Sequence, residues 1–166
     1  MLLSLAIPLL ACVTLTQNVV LTRVSLWGAR PELLLLVVLM WSVVRGVDEG
    51  VLWAFLGGLM MELFSGGPLG AITLALVVAS FLSGRVLRVD LGSPVAGVML
   101  STLLAVSSYH LVLLLVLAWT GYPVDWLDAL FRVAWPSVLL NAVLAPFVYR
   151  LMRWLERRTR RERFTL

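Results

Sequence analysis

The sequence predicts an all-α protein, a polytopic membrane helical bundle of about six transmembrane helices joined by short loops. Hydrophobic residues make up 61% of the chain and charged residues only 13%, a composition far from that of soluble domains. The apolar runs are continuous, whereas the strands of a membrane barrel would alternate apolar and polar residues. Because each crossing needs about 20 residues, the 166 residues leave no room for a second, water-soluble domain.

Six apolar segments account for the bundle in chain order. We expect spans at 1–22, 33–44, 50–61 and 63–84, one within 91–124, and one at 133–150. The third run covers only about 18 Å at the helical rise, so the second and third spans must include charged flanks. The Ser65-Gly66-Gly67-Pro68 break precedes the fourth span. Residues 1–155 form one predicted transmembrane domain, and residues 156–166 form an arginine-rich cytoplasmic tail.

The basic residues predict the orientation, because all 13 are arginine and they are placed unevenly. With six spans, one side holds ten of them (Arg45, Arg85, Arg88 and seven from Arg150 to Arg163) and the other side holds three, Arg23, Arg30 and Arg132. The positive-inside rule therefore places both termini in the cytoplasm. Tryptophans favour interfaces, so we expect Trp27, Trp119 and Trp126 at the outer interface and Trp41, Trp53 and Trp154 at the inner one.

Small residues recur at every fourth position of the third span, which indicates a face for close helix packing. The stripe consists of Gly46, Gly50, Ala54 and Gly58, with Gly57 beside it and Glu62 at its end. Similar stripes occur in the fourth span (Ala71, Ala75, Ala79, Ser83) and the fifth (Gly97, Ser101, Ala105). Small residues let helix backbones approach closely in lipid. Packing inside the bundle is the favoured interpretation, and an interface with a second protein is the alternative.

Glu62 is the acidic residue that ends the stripe, just before Gly67 and Pro68. A carboxylate at the bilayer centre costs about 2.5 to 3.5 kcal/mol on insertion scales, so its presence needs an explanation. The favoured role is to stabilise the chain break at the membrane boundary. The alternatives are a polar contact with a partner or neighbouring helix, and, with the smallest weight, transport or catalysis.

Polar residues in three other spans suggest interhelical hydrogen bonds. Thr14, Gln17, Asn18 and Thr22 lie near the outer end of the first span, and Asn141 lies in the last span before Pro146. Hydrogen bonding to neighbouring helices is the favoured interpretation, and a polar cavity that includes Gln17, Asn18 and His110 is the alternative. His110 is the only histidine, and a satisfied buried histidine is favoured over a proton relay.

Catalytic and cofactor motifs are not found in the sequence. It contains no phosphate-binding loop with its lysine, no metalloprotease helix motif and no nucleophile elbow. The single cysteine, Cys12, and single histidine cannot make a multi-cysteine or histidine metal site. We therefore expect no catalytic residues, no metal and no cofactor. The arginine-rich end predicts contact with anionic lipids, with a cytoplasmic protein as the alternative and nucleic acid as an unfavoured partner.

The residues from Arg30 to Gly70 carry a family resemblance. Arg30-Pro31-Glu32 followed by a leucine run, then Arg45-Gly46, Gly57-Gly58-Leu59, Glu62 and Gly67-Pro68-Leu69-Gly70 resemble the rod shape-determining protein MreD family. That family commonly has aspartate at the positions of Glu32 and Glu62. Glutamate at both positions keeps the negative charge. The resemblance extends to Asn141, Pro146 and the arginine-rich end.

The resemblance implies a non-enzymatic scaffold subunit of the bacterial cell-elongation complex. Such a subunit binds the single-span membrane protein MreC and, through it, MreB filaments and peptidoglycan synthases. It also implies a fold similar to the substrate-binding subunits of energy-coupling-factor vitamin transporters. On this hypothesis, the span of MreC could lie along a groove that includes Gly50, Ala54 and Gly58.

Two other functions remain as alternatives. A vitamin-binding transporter subunit would share the bundle, but Ala6 and Ala11 are five residues apart, whereas that family docks its energising subunit through two alanines spaced by four. An intramembrane enzyme would require His110, Glu62 and Arg132 to converge.

Overall fold

The chain forms a helical bundle, described here from a computed structural model for residues 2–19, 31–86 and 94–161. All regular secondary structure in these ranges is helical. The elements are α1 (Leu2–Val19), α2 (Leu33–Arg45), α3 (Val47–Ser65), α4 (Ala71–Val86), α5 (Pro94–Trp119), the short α6 (Trp126–Asp128), a π-helical turn (Ala129–Ala134) and α7 (Trp135–Arg161). The predictions on Thr22, Arg23, Trp27, Arg30, Arg88 and Arg163 lie outside the described residues.

Helix α2 occupies the centre of the bundle. Every residue from Leu34 to Ser42 is buried, and α2 contacts α1, α3, α4, α5 and α7. The sequence LLLLVVLMWSVVR has no charge before its last residue, so it can be surrounded by apolar side chains on all sides. At 1.5 Å per residue the helix is about 20 Å long, shorter than the bilayer core, but the neighbouring helices separate it from lipid.

Two tryptophans fill the contact between α2 and α3. The rings of Trp41 and Trp53 stack with centroids 4.2 Å apart and planes 16° from parallel, and both residues are at most 1% exposed. The prediction that they belong to an interfacial belt is therefore wrong. A belt tryptophan must reach the headgroups, whereas these two rings bury a large apolar area against each other. Trp119, Trp126 and Trp154 are exposed.

Several predicted helix bounds differ from the observed ones. Leu63 and Phe64, predicted to begin the fourth span, belong to α3, and α4 begins only at Ala71. Gly66 adopts the left-handed conformation (φ 63°) that ends α3, which glycine adopts without steric cost. The last helix starts two residues later than predicted and continues to Arg161. Residues 156–161 of the predicted tail are therefore a continuation of α7.

The turn between α2 and α3 consists of one residue. Gly46 has φ 104°, a conformation that L side chains rarely adopt. Gly46 follows the last residue of α2. Its carbonyl oxygen accepts a hydrogen bond from the backbone N–H of Gly50 at 3.1 Å, which begins α3. The two helices consequently fold back against each other with almost no connecting loop.

The outer surface of the bundle is rich in large apolar side chains. Within the described ranges, two helical segments, Val95–Trp119 and Trp126–Thr159, are long and apolar enough to cross a bilayer, and 6–19, 33–45 and 71–85 are shorter apolar helices. Side chains such as Leu63, Trp119 and Phe147 are more than 70% exposed. In water such a surface would be an aggregation hazard, so the surface suits a lipid environment.

Candidate functional site

The first amides of α2 bind polar side chains from two other helices. Asn141 Oδ1 of α7 accepts the backbone N–H of Glu32 at 3.2 Å, and Gln17 Oε1 of α1 accepts that of Leu34 at 2.8 Å. The first amides of a helix have no partners within it, and Glu32 provides no side-chain cap for α2. Side chains of α1 and α7 thus supply the missing acceptors and fix the end of the central helix.

The carboxylate of Glu32 connects the same helix end to α5. Its Oε1 lies 3.4 Å from His110 Nε2, and His110 Nδ1 lies 2.9 Å from the carbonyl oxygen of Val106. Since a carbonyl oxygen can only accept, Nδ1 carries a proton. Nε2 faces the carboxylate, so this contact joins the start of α2 to α5.

We call Gln17, Glu32, His110 and Asn141 the α2 anchor, since they join four helices at one point. Asn141 is fully buried and His110 is 6% exposed, while Glu32 is partly buried and its Oε2 has no hydrogen-bond partner. Asn141 Nδ2 also donates to the carbonyl of Ser137 at 2.9 Å, which orients the amide. The anchor provides hydrogen bonds between helices, and its members are not arranged as a nucleophile with a base.

Glu62 connects α3 to the beginning of α4. Its Oε1 accepts the backbone N–H of Thr73 at 2.9 Å, and Glu62 is 6% exposed. Thr73 is the third residue of α4, the position whose amide a capping side chain normally binds. Gly70 precedes the helix and has no side chain to do this. Glu62 replaces that cap from another helix, and the helix dipole favours its negative charge there.

The small residues of α3 lie against other helices of the same chain. A Cβ at Gly50 would overlap Ser42 of α2, and one at Gly58 would lie 2.5 Å from Thr73 Cα of α4. A Cβ at Gly57 would meet Leu34 Cδ1 at 3.2 Å, and Ala54 is fully buried. At Gly50 and Gly58 the neighbouring helices α2 and α4 leave no space for a partner helix.

The stripes of α4 and α5 are buried as well. Ala71, Ala75, Ala79 and Ser83 of α4, and Ser101 and Ala105 of α5, are each at most 1% exposed. The two helices pack against each other. The three stripes together thus let α2, α3, α4 and α5 approach closely.

The remaining predicted site residues lie apart from the α2 anchor. Gly67 is exposed and Pro68 partly buried in the α3–α4 turn, and a Cβ at Gly67 would meet only Ser65 Oγ, at 3.7 Å. Asn18 donates to the carbonyl of Thr14 at 2.9 Å and to Met61 Sδ at 3.4 Å. Of the three residues predicted to line a polar cavity, Gln17 and His110 belong to the anchor and Asn18 contacts α3. A shallow recess of about 640 Å³ lies elsewhere, at residues 123–127.

Sequence reasoning missed Ser42, a residue at the crossing of α2, α3 and α4. Its Oγ donates to the carbonyl of Ser80 at 2.9 Å and would lie 2.5 Å from a Cβ at Gly50 and 2.7 Å from one at Gly84. One signal was available: Ser42 is the only hydroxyl residue in the α2 sequence. Glu32 was likewise not singled out as a site residue, although it lies directly before the apolar run, at the position of a helix cap.

A sequence model of the rod shape-determining protein MreD matches residues 1–155. The chain belongs to the MreD family. No curated protein and no solved structure matches it. Membership in this family, together with the apolar helices, identifies a polytopic membrane protein with a role in the determination of rod shape. The match covers every helix described above except the last residues of α7.

Proposed function

We propose that this MreD-family chain is a non-catalytic scaffold subunit of the bacterial rod complex, which binds MreC and thereby acts on MreB filaments and peptidoglycan synthases. The family match over residues 1–155 is the observation that carries this proposal. A scaffold requires a rigid bundle with defined outward faces. It does not require a reactive group.

The use of the polar residues supports a structural role. Gln17, Glu62 and Asn141 each accept a backbone amide of another segment, so these side chains are engaged in holding helices together. In an enzyme or transporter at least some of them would converge on a substrate. Their engagement with backbone amides at helix ends favours a scaffold over the vitamin-binding alternative.

The close packing at Gly50 and Gly58 changes the expected position of MreC. Because α2 and α4 fill the space at these residues, the single span of MreC would bind an outward face of the bundle. Gly58 would then influence MreC binding only indirectly, through the packing of α3 on α4. A substitution at Gly58 should lower the stability of the chain and MreC binding together.

Copurification tests this proposal directly. The tagged full-length chain, coexpressed with MreC from the same bacterium, should retain MreC through a detergent gel-filtration column at a fixed stoichiometry. An unrelated single-span protein expressed at the same level is the control. Failure to retain MreC, with a vitamin found by mass spectrometry in the purified chain, would favour the transporter subunit instead.

We also propose six spans, α1 to α5 and α7, with both termini in the cytoplasm of the inner membrane. Ten of the 13 arginines would then lie on the cytoplasmic side, as the positive-inside rule requires. Periplasmic alkaline phosphatase fused after Gly121 should be active, whereas the same enzyme fused after Arg161 should be inactive. The opposite pattern would contradict this topology.

A further inference from the structure

One outward face of α7 is apolar in its first part and cationic in its last part. Leu139, Val143 and Phe147 are 52%, 63% and 73% exposed. The same face continues with Arg150, Arg153, Trp154 and Arg157, which are also exposed. Residues spaced by three or four share a helix face. We call these seven residues the α7 strip.

Contacts on the opposite side of α7 fix the orientation of the strip. Met152 is 1% exposed and Leu155 packs against the core of the bundle. The arginine-rich end of the helix is therefore held by the bundle and cannot rotate freely about its axis. The strip consequently faces away from the protein over its whole length.

The arginines of the strip are available to bind an anion. Arg153 stacks on Tyr149 with its guanidinium carbon 5.5 Å from the ring centre, and the adjacent Arg158 stacks on Trp154 at 4.2 Å. Two arginines elsewhere have a carboxylate beside them: Arg45 lies next to Glu49, and Arg132 lies next to Asp128. In the described part of the chain, no carboxylate pairs with Arg150, Arg153 or Arg157. A guanidinium group donates two parallel hydrogen bonds to a phosphate, so these side chains match a phosphate group.

We propose that the α7 strip binds an anionic phospholipid, with its phosphate on Arg150, Arg153 and Arg157 and an acyl chain along Phe147, Val143 and Leu139. A molecule with a negative head and an apolar tail matches both halves of the strip. Leu139 and Arg150 are about 16 Å apart along the helix axis, close to the roughly 15 Å of hydrocarbon in one leaflet. With a lipid bound in this way, Trp154 would lie at the headgroup level, where indole rings are favoured.

The strip does not depend on the proposed binding of MreC, so the test uses the purified full-length chain alone. Phosphatidylglycerol or phosphatidylcholine is titrated into the protein in detergent, and bound lipid is counted by native mass spectrometry. The test variant is Arg150→Gln with Arg157→Gln. The control, Arg85→Gln with Arg132→Gln, removes the same charge from two exposed arginines on other elements.

We expect the test variant to bind phosphatidylglycerol about 25-fold more weakly, since each of the two nearby cations contributes roughly fivefold. The control variant should change phosphatidylglycerol binding less than about threefold. Phosphatidylcholine should bind weakly to the unaltered chain and to every variant. For the apolar half, Phe147→Asn should weaken phosphatidylglycerol binding more than Phe131→Asn, which removes an equally exposed ring (73% and 71%). Thermal unfolding of each variant without lipid would verify that it is folded.

Three outcomes would overturn the proposal. Equal binding by the test variant and the control would show that total charge, and not the strip, attracts the lipid. Full competition by inorganic phosphate would show that the arginines bind a free anion without need of a tail. Loss of a copurified acidic protein in the test variant, with lipid binding unchanged, would identify the strip as a protein interface.

Discussion

Glu62 of α3 accepts a hydrogen bond from the backbone amide of Thr73 in α4 at 2.9 Å. The bond joins two helices across a turn that contains glycines at 66, 67 and 70, so the turn by itself does little to fix their relative position. Glu62 performs the role of a cap from outside the helix. An apparently misplaced membrane carboxylate thus has a structural explanation.

Removal of the Glu62 cap should destabilise the bundle. Glu62→Ala leaves the buried amide of Thr73 without an acceptor, which costs about 1 to 3 kcal/mol. Glu62→Gln keeps an acceptor oxygen and loses only the charge, so we expect less than half of that loss. Unfolding in mixed micelles of SDS and a mild detergent measures both variants. Equal destabilisation by Ala and Gln would show that the charge, and not the hydrogen bond, is the important property.

Gly58 should not tolerate even one additional carbon. A Cβ would lie 2.5 Å from Thr73 Cα, so Gly58→Ala must push α4 away from α3, at a cost of about 1 to 3 kcal/mol. The matched control is Gly67→Ala, whose Cβ would meet only Ser65 Oγ, at 3.7 Å. Thermal unfolding followed by gel filtration should separate the two. The close contact would be contradicted if Gly58→Ala were as stable as the control.

The Glu32–His110 contact should give a measurable coupling energy. Each of Glu32→Ala and His110→Ala removes one member of a partly buried pair, so the double variant should lose about 0.5 to 3 kcal/mol less than the sum of the single losses. Arg132→Ala combined with His110→Ala provides the control, because Arg132 is exposed and pairs with Asp128. That combination should be additive. Additivity of the Glu32 and His110 changes would mean that their contact contributes nothing.

Truncation of Trp53 should be far more damaging than truncation of Trp154. Trp53 is 1% exposed and stacked on Trp41, so Trp53→Ala leaves a cavity and costs about 3 to 5 kcal/mol. Trp154 is 50% exposed, and we expect Trp154→Ala to cost less than about 1 kcal/mol. The yield of monodisperse protein and the denaturant midpoint provide the readout. Similar midpoints for the two variants would contradict the interior position of Trp53.

The sequence by itself determined the class of this protein and the positions of its small-residue stripes. An excess of apolar residues cannot be buried in a chain of this length, so a bilayer is required whatever the helix arrangement. Likewise, small residues at intervals of four lie near one another on any helix. Both inferences need only local periodicity and composition.

Only the tertiary structure decided which helix is central and what each stripe and polar residue contacts. Trp41 has the same hydropathy at a lipid interface as in a core, and its stacking on Trp53 depends on how α2 and α3 fold back at Gly46. Glu32 and Asn141 are 109 positions apart, so no local pattern connects them. Helix spacing indicates which residues share a face, but the neighbour on that face is selected by the packing of the whole bundle.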